Sequence, residues 1–136
     1  MCKYEQISPS FYGCDLLYGK LDIKPSHNFN CFFIVERVVN EEYIDKNALE
    51  LILTHCTHFE FYGKYSQNWC SAFRHQNARV HPNCKSEERI VIVEHKSIGS
   101  FISSLKLDLS CRSIVPSDTI LIYDNTEIYK TVLSLL

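Results

Sequence analysis

The stretch ERIVIVEHKSIGSFISSL, residues 88–105, contains the clearest strand–helix unit of the chain. Its first half is a β-branched run, of the kind found in parallel strands that are covered on both faces. Ser97 follows as a helix N-cap residue. The apolar residues after it recur at the i, i+3, i+4, i+7 spacing of one helix face: Ile98, Phe101, Ile102 and Leu105. The stretch therefore predicts a buried strand that leads directly into an amphipathic helix.

The same order of strand, cap and helix occurs three more times from residue 31 onward. The further strands are predicted at CFFIVERVV (31–39), HFEFYG (58–63) and DTILIYD (118–124). The inward helix faces are predicted at Ile44, Ala48, Leu51 and Ile52, at Tyr65, Trp69, Ala72 and Phe73, and at Ile128, Val132 and Leu135. Four β-α units with short connections imply a three-layer α/β sandwich, with a mainly parallel sheet of four or five strands between two helix layers.

We expect these four strands to lie in the order 2-1-3-4, which places the first strand centrally and creates a switch point beside strands one and three. The first thirty residues contain four breakers of regular structure: Pro9, Gly13, Gly19 and Pro25. They predict an irregular arm along a sheet edge, or an edge strand or hairpin at CDLLYGKLDI (14–23). With no internal repeat or linker, residues 1–136 are expected to form a single α/β domain, divided into the arm at 1–30 and four β-α units at 31–136.

Composition limits the classes of function. The chain has 136 residues, a formal net charge of -2 and a pI near 6.3, so it lacks the basic excess of a dedicated nucleic-acid binder. Its seven cysteines are odd in number and widely spread, and no secretory signal is apparent at the start, which favours a reducing cytoplasm. The apolar runs are far shorter than a membrane span. We therefore expect a cytoplasmic protein whose partner is a protein or a small molecule.

Polar residues follow the predicted strands at the edge where ligands bind in open parallel sheets. An enzyme would use Glu94, His95 and Asp124 here for acid–base chemistry, with a ligand pocket formed by Gly63, Lys64, Lys96 and Asn125. The alternative is structural: Asp, Asn and Ser are common helix caps, and one glycine followed by lysine matches neither phosphate-binding fingerprint. Gly63 is then a tight turn that needs a positive φ.

Residues 55–84 contain four histidines and three cysteines, which raises the question of a metal site. Structural zinc needs four Cys or His ligands in two close pairs, and only His81 and Cys84 have a familiar spacing. Cys56 and Cys70 suit small apolar positions in the core. We therefore expect no metal and no cofactor, with His81 and Cys84 as the residues to test.

The stretch HFEFYGKYSQNWCSAF, residues 58–73, resembles small bacterial α/β proteins of the cytoplasm, among them the immunity proteins of toxin systems. This resemblance implies a non-catalytic protein-binding module that neutralises a toxin domain by covering it. Many such toxins act on nucleic acids through basic clefts, so an acidic surface would steer association. The acidic candidates are Glu41, Glu42, Asp45 and Glu50 on the first helix, and Glu87 and Glu88 before the third strand. The alternative is a small-molecule- or phosphate-binding α/β enzyme with its site at the strand ends.

Overall fold

Six strands and four helices occur in the residues that the computed structural model describes, which are 3–16, 28–54, 56–82, 90–111 and 117–136. The strands are β1 (Lys3–Ser8), β2 (Phe11–Asp15), β3 (Phe29–Ile34), β4 (Cys56–Tyr62), β5 (Val91–His95) and β6 (Asp118–Tyr123). The helices are α1 (Glu41–Ile52), α2 (Ser66–Val80), α3 (Ile98–Ser110) and α4 (Thr126–Ser134). Within these ranges no helix has the length and apolar character that crossing a bilayer requires.

The strands form one mixed sheet in the order β1-β2-β6-β3-β4-β5. Strand β1 is antiparallel to β2, and every other neighbouring pair is parallel. Helices α1 and α2 contribute to one core cluster, whereas α3 and α4 contribute to the other, so the helices cover both faces. The predicted α/β class with a mainly parallel sheet is confirmed, and the sheet has six strands where four or five were expected.

The predicted strand order 2-1-3-4 is wrong. Numbered in the same way, the four strands run 4-1-2-3, because β6 lies on one side of β3 while β4 and β5 follow on the other. The chain moves outward from β3 to β5 through α1 and α2, and α3 then crosses the opposite face back to β6. A β-branched run indicates a strand but not its neighbours. Strand β5 is an edge strand with Val91 41% exposed, and β6 takes the buried interior position.

The N-terminal arm lies along a sheet edge, as predicted, but its described part is regular. Strands β1 and β2 form an antiparallel hairpin whose turn includes Ser10, with a φ of 63° in the left-handed region. Strand β2 then pairs in parallel with β6, so the hairpin adds two strands to the sheet. Residues 17–27, which include most of the strand predicted at 14–23, lie outside the described residues.

Three helices begin at the predicted cap residues, each of which has an extended backbone and a side-chain oxygen that accepts a first-turn amide. The bonds run from Glu42 N to Asn40 at 2.7 Å, from Ser100 N to Ser97 at 3.2 Å and from Ile128 N to Asn125 at 3.0 Å. Helix α2 differs, because its first flanking residue, Tyr65, makes no side-chain cap bond.

The core on the α1/α2 face is aromatic. Phe33 stacks on Phe61 with ring centroids 4.7 Å apart, and Trp69 lies 5.5 Å from Phe33. Trp69 is fully buried, as its helical spacing predicts, and Phe73 packs against all three rings. Burial of aromatic rings on this scale makes the face the main hydrophobic core.

The described cysteines are mostly buried. Cys56 and Cys70 lie in the core as predicted, and burial raises the pKa of the Cys70 thiol to about 12, which keeps it protonated and unreactive. Cys14 is disulfide-bonded. Disulfides are rare in a reducing cytosol, so the cytoplasmic location stays a prediction with one observation against it.

Candidate functional site

A cavity of about 320 Å³ opens at the carboxyl ends of β4 and β5. Its lining includes five of the residues singled out from the sequence, namely Gly63, Lys64, Glu94, His95 and Lys96. Parallel strands bring their carboxyl ends to one edge of the sheet, which explains why residues thirty positions apart meet here. This part of the predicted polar set is therefore assembled in the fold.

Gly63 makes the turn between β4 and α2, with a φ of +129° that only glycine adopts readily. A Cβ atom at this position would lie 2.4 Å from the carbonyl oxygen of Val35. The close approach lets the amide of Tyr65 donate to that same oxygen at 3.0 Å. The predicted positive-φ turn is confirmed, and its immediate role is to join the ends of β3 and β4.

The polar groups of the cavity are largely bound to one another. The backbone amide of Lys64 donates to Oε2 of Glu36. Oε2 of Glu94 accepts from the Ser66 hydroxyl at 2.8 Å and from Nζ of Lys96 at 3.1 Å. The Ser66 hydrogen bond is the main reason that the pKa of Glu94 lies below its usual value, with Lys96 adding to it against the effect of burial. Two carboxylates thus occupy donors that an anionic ligand would need.

Asp124 lies at a second site, where the order of strands reverses between β3 and β6. Its carboxylate accepts the backbone amides of Glu36 at 2.8 Å and Arg37 at 2.9 Å. Burial raises the pKa of Asp124, and the two amide hydrogen bonds counteract only part of that effect. In doubly wound sheets, loop amides at this crevice commonly bind the phosphate of a nucleotide. Here a side chain of the protein fills that role.

The structure does not bring Asp124 to Glu94 and His95. Three strand spacings separate the end of β6 from the end of β5, which corresponds to roughly 14 Å. Asn125, predicted for the ligand pocket, instead caps α4. The three residues proposed for acid–base chemistry therefore form no single catalytic set.

His95 belongs to a polar cluster beneath α3, which we name the Glu60 cluster: His58, Glu60, His95, Ser100 and Ser104. Nε2 of His95 contacts Oε1 of Glu60, and Nε2 of His58 contacts Oε2 of the same carboxylate. Nδ1 of His95 lies 2.7 Å from the Ser100 hydroxyl, and Ser104 also bonds to Glu60. Glu60 is only 3% exposed and His95 9%. A buried carboxylate thus has two imidazole rings as partners.

Sequence reasoning missed Glu60 because it lies inside the apolar run of β4. The available signal was the alternation of HFEFY, which puts His58 and Glu60 on one face of the strand and Phe59 and Phe61 on the other. Pairing of β4 with β5 then sets Tyr62 opposite His95, which brings the ring within reach of Glu60. That pairing depends on strand order, and the predicted order was wrong.

A groove of about 540 Å³ runs between α1 and α2. Two of the predicted acidic residues, Glu41 and Asp45, line it opposite Gln67, Asn68, Ser71 and His75. Glu42 is exposed outside the groove lining, and Glu50 is half-buried. Glu87 and Glu88 lie outside the described residues. The acidic candidates therefore divide into a pair within a groove and others apart from it.

Of the two candidate metal ligands, only His81 lies in the described part of the chain. His81 ends α2 and pairs with the side chain of Asn77 at 3.1 Å, while Cys84 lies outside the described residues. Among the residues that are described, no group of three or more His, Cys, Asp or Glu side chains has the arrangement of a metal site.

No protein-family model, curated protein or solved structure matches the chain. Function is therefore inferred from the groove, the cavity and the Glu60 cluster.

Proposed function

We propose that this chain is a protein-binding module that recognises a basic partner through the groove between α1 and α2. The observation that carries the proposal is that polar groups at the sheet edge, where such folds bind ligands, are hydrogen-bonded to one another. Glu36 accepts a hydrogen bond from the Lys64 amide, and Glu94 accepts one from the Ser66 hydroxyl. Asp124 accepts hydrogen bonds from two backbone amides that follow β3. Groups that bind ligands in enzymes of this architecture are satisfied by the chain itself.

Charge balance in the cavity supports the same conclusion. The cations Lys64 and Lys96 face the carboxylates Glu36 and Glu94 across a small volume. An anionic ligand would have to displace hydrogen-bonded carboxylates and then lie close to them, which is unfavourable electrostatically. A phosphate-binding enzyme is therefore the weaker alternative at this edge.

The groove suits a protein partner because its walls are polar and presented by two rigid helices. Glu41 and Asp45 come from α1, and the amides and hydroxyl of Gln67, Asn68 and Ser71 come from α2. Carboxylates attract a lysine or arginine, while the neutral side chains offer both donors and acceptors to a backbone segment.

The specific form of the proposal is toxin neutralisation by occlusion. A nuclease-like toxin with a basic cleft would be attracted by Glu41 and Asp45 and would lose access to its substrate when bound. No chemistry of the inhibitor is needed. Equimolar protein should then abolish the toxin's activity, and the inhibition should follow complex formation as salt is varied.

The test is capture of a partner from a lysate of the source cells, with charge-reversed variants as bait. Glu41→Lys/Asp45→Lys reverses the groove, and Glu42→Lys/Glu127→Lys changes the net charge equally outside it. The wild type and the control should recover the same stoichiometric protein, and the groove variant should lose it. With purified partner, groove reversal should slow association on the order of tenfold at low salt. Equal recovery by both variants would exclude this groove.

A second candidate function is small-molecule binding in the cavity at the ends of β4 and β5. The observation in its favour is that His95, backed by buried Glu60, forms part of the lining. Thermal unfolding with a panel of organic phosphates and carboxylic acids tests it. A rise in melting midpoint that disappears in Lys64→Ala/Lys96→Ala would favour this candidate over the groove.

A further inference from the structure

Three side chains of the Glu60 cluster form a continuous hydrogen-bonded chain that ends at the surface. Ser100 is exposed in the first turn of α3, and its hydroxyl lies 2.7 Å from Nδ1 of His95. Nε2 of the same ring contacts the carboxylate of buried Glu60. A hydroxyl, an imidazole and a buried carboxylate in this order are the parts of an activated serine.

The partners of Glu60 set the proton position on His95. Burial alone would raise the pKa of Glu60, but hydrogen bonds from His58, Ser104 and His95 hold it below the usual value, so the carboxylate is ionised at neutral pH. An ionised carboxylate only accepts hydrogen bonds, so His95 carries its proton on Nε2. Nδ1 is then the basic nitrogen, and it faces the Ser100 hydroxyl.

Both ring nitrogens of His95 are engaged, Nε2 by Glu60 and Nδ1 by Ser100. The basic nitrogen therefore faces the Ser100 hydroxyl and not the cavity. We propose that Ser100 is the nucleophile of an acyl-transfer site that hydrolyses small carboxylic esters, with His95 as general base and Glu60 as a positioning residue. This inference goes beyond the proposed protein-binding function. The site lies beneath α3, on the sheet face opposite the groove, so either proposal can fail without the other.

The chemical steps balance without a cofactor. As Oγ of Ser100 bonds to the ester carbonyl carbon, its proton passes to Nδ1 of His95. The carbon–oxygen bond to the leaving alcohol then breaks, and His95 gives the proton to that alcohol. Water attacks the acyl-serine in the same way, releasing a carboxylic acid and returning a proton to Ser100.

Ser100 is exposed, and a Cβ atom built on the preceding Gly99 meets no atom within 4 Å, so the helix surface next to the serine is open. The backbone amides of Ile98 and Gly99 lie in the first turn of α3, where the helix supplies no acceptor, so they are candidate donors for a developing oxyanion. An acetyl ester is therefore the appropriate probe.

Labelling with an alkyl fluorophosphonate tests the nucleophile directly, because Oγ displaces fluoride and keeps the phosphonyl group. Tryptic mass spectrometry of the folded wild type should find the label on Ser100. Ser103→Ala, at an exposed serine of the same helix, should label like the wild type, and Ser100→Ala should not label. An unlabelled wild type, or equal labelling of Ser103 and Ser100, would overturn the proposal.

Hydrolysis of 4-nitrophenyl acetate supplies the second measurement. We expect the rate to fall about 100-fold in Ser100→Ala, a typical contribution of a serine and its base. The fold should be retained because the side chain is exposed, and loss of its hydrogen bond to His95 should lower the melting midpoint by about a few degrees at most. Equal rates in the two proteins would contradict the inference.

The positioning role of Glu60 has its own signature. Nitrogen-15 shifts of the His95 ring should show a protonated Nε2 in the wild type and a mixture of tautomers in Glu60→Gln. An unchanged tautomer in Glu60→Gln would reject that role.

Discussion

The two faces of β4 are built from opposite kinds of residue. Phe59 and Phe61 point toward α1 and α2 and are fully buried among aromatic rings. His58 and Glu60, which alternate with them, lie toward α3 in a hydrogen-bonded cluster. Burial of an ionised carboxylate has a large desolvation cost, whereas burial of a phenyl ring is favourable. The difference indicates that the aromatic face provides stability, while the polar face is maintained for another reason.

Helix α3 is bound to the sheet by polar groups at both ends. The Glu60 cluster lies at its first turn, and at its last turn Asp108 accepts hydrogen bonds from Asn30 at 2.6 Å and from Thr119 at 2.5 Å. Apolar contacts from Phe101 and Leu105 lie between these ends. Directional bonds at both ends fix the position of the helix along the sheet more narrowly than apolar packing alone.

The largest expected effect is on the aromatic face. Trp69→Ala removes a fully buried ring that packs against Phe33 and Phe73, so the free energy of unfolding should fall by about 4 kcal/mol. Urea denaturation at pH 7 measures it. Trp69→Phe is the matched control: Nε1 has no hydrogen-bond partner within the described part of the chain, so most of the stability should remain. A loss below about 1 kcal/mol in Trp69→Ala would mean that the ring is not essential to this core.

The aromatic face is also the part that the sequence predicts best. Period-3.6 spacing identified Trp69 and Phe73 as inward residues, and the capping pattern identified Asn40, Ser97 and Asn125. These signals are local, because a cap or a helix face is determined by residues within a few positions. Strand order is not local. It depends on which face of the sheet each crossover helix packs against, and no residue of β5 or β6 identifies the strand that will pair with it.

The candidate site was predictable only in part for the same reason. Gly63, Lys64 and Glu94 could be grouped because each lies at or just after the end of a strand, and the carboxyl ends of parallel strands share one edge of the sheet. Glu60 is in mid-strand, and its contact with His95 requires the pairing of β4 with β5. Asp124 was placed with His95 by the edge rule, but the order of strands sets them three spacings apart.

The second-largest expected effect is on the polar face of β4. It is measured by comparing the loss of Glu60 alone with the loss of His58, Glu60 and His95 together. Glu60→Ala leaves two imidazoles without their acceptor, so unfolding free energy should fall by about 3 kcal/mol. The triple variant His58→Leu/Glu60→Leu/His95→Leu removes every desolvated partner together. It should recover most of that loss, because apolar replacement of a buried polar set is often neutral or stabilising.

Chemical denaturation of the wild type and the two variants measures this difference. If the triple variant is much less stable than Glu60→Ala, the cluster is needed for folding, and stability alone would explain its presence. If the triple variant is stable but loses the reactivity of Ser100, the cluster is retained for chemistry.

The smallest effect is a difference in acid sensitivity between two carboxylates on opposite faces of the sheet. The folded-state pKa of Glu60 is depressed below the ordinary value of a glutamate, so its stabilising contribution is present above the unfolded-state pKa and is lost as pH falls through the folded-state pKa. Glu60→Gln lacks this titration. Its deficit relative to the wild type should therefore be full at pH 6 to 7 and shrink progressively below about pH 4.5.

Glu94→Gln is the matched control, since the pKa of Glu94 is also depressed but its hydrogen-bond partners Ser66 and Lys96 lie at a more exposed site. Solvent screening reduces the value of such contacts, so the Glu94→Gln deficit and its pH dependence should both be smaller. Urea midpoints at pH 7, 5, 4 and 3 test the pair. If the Glu60→Gln deficit instead grows as pH falls from 7 to 5, the Glu60 carboxylate is already protonated in the folded protein at neutral pH. It would then not hold the Nε2 proton of His95, and the polar face would lose the charge on which its proposed chemistry depends.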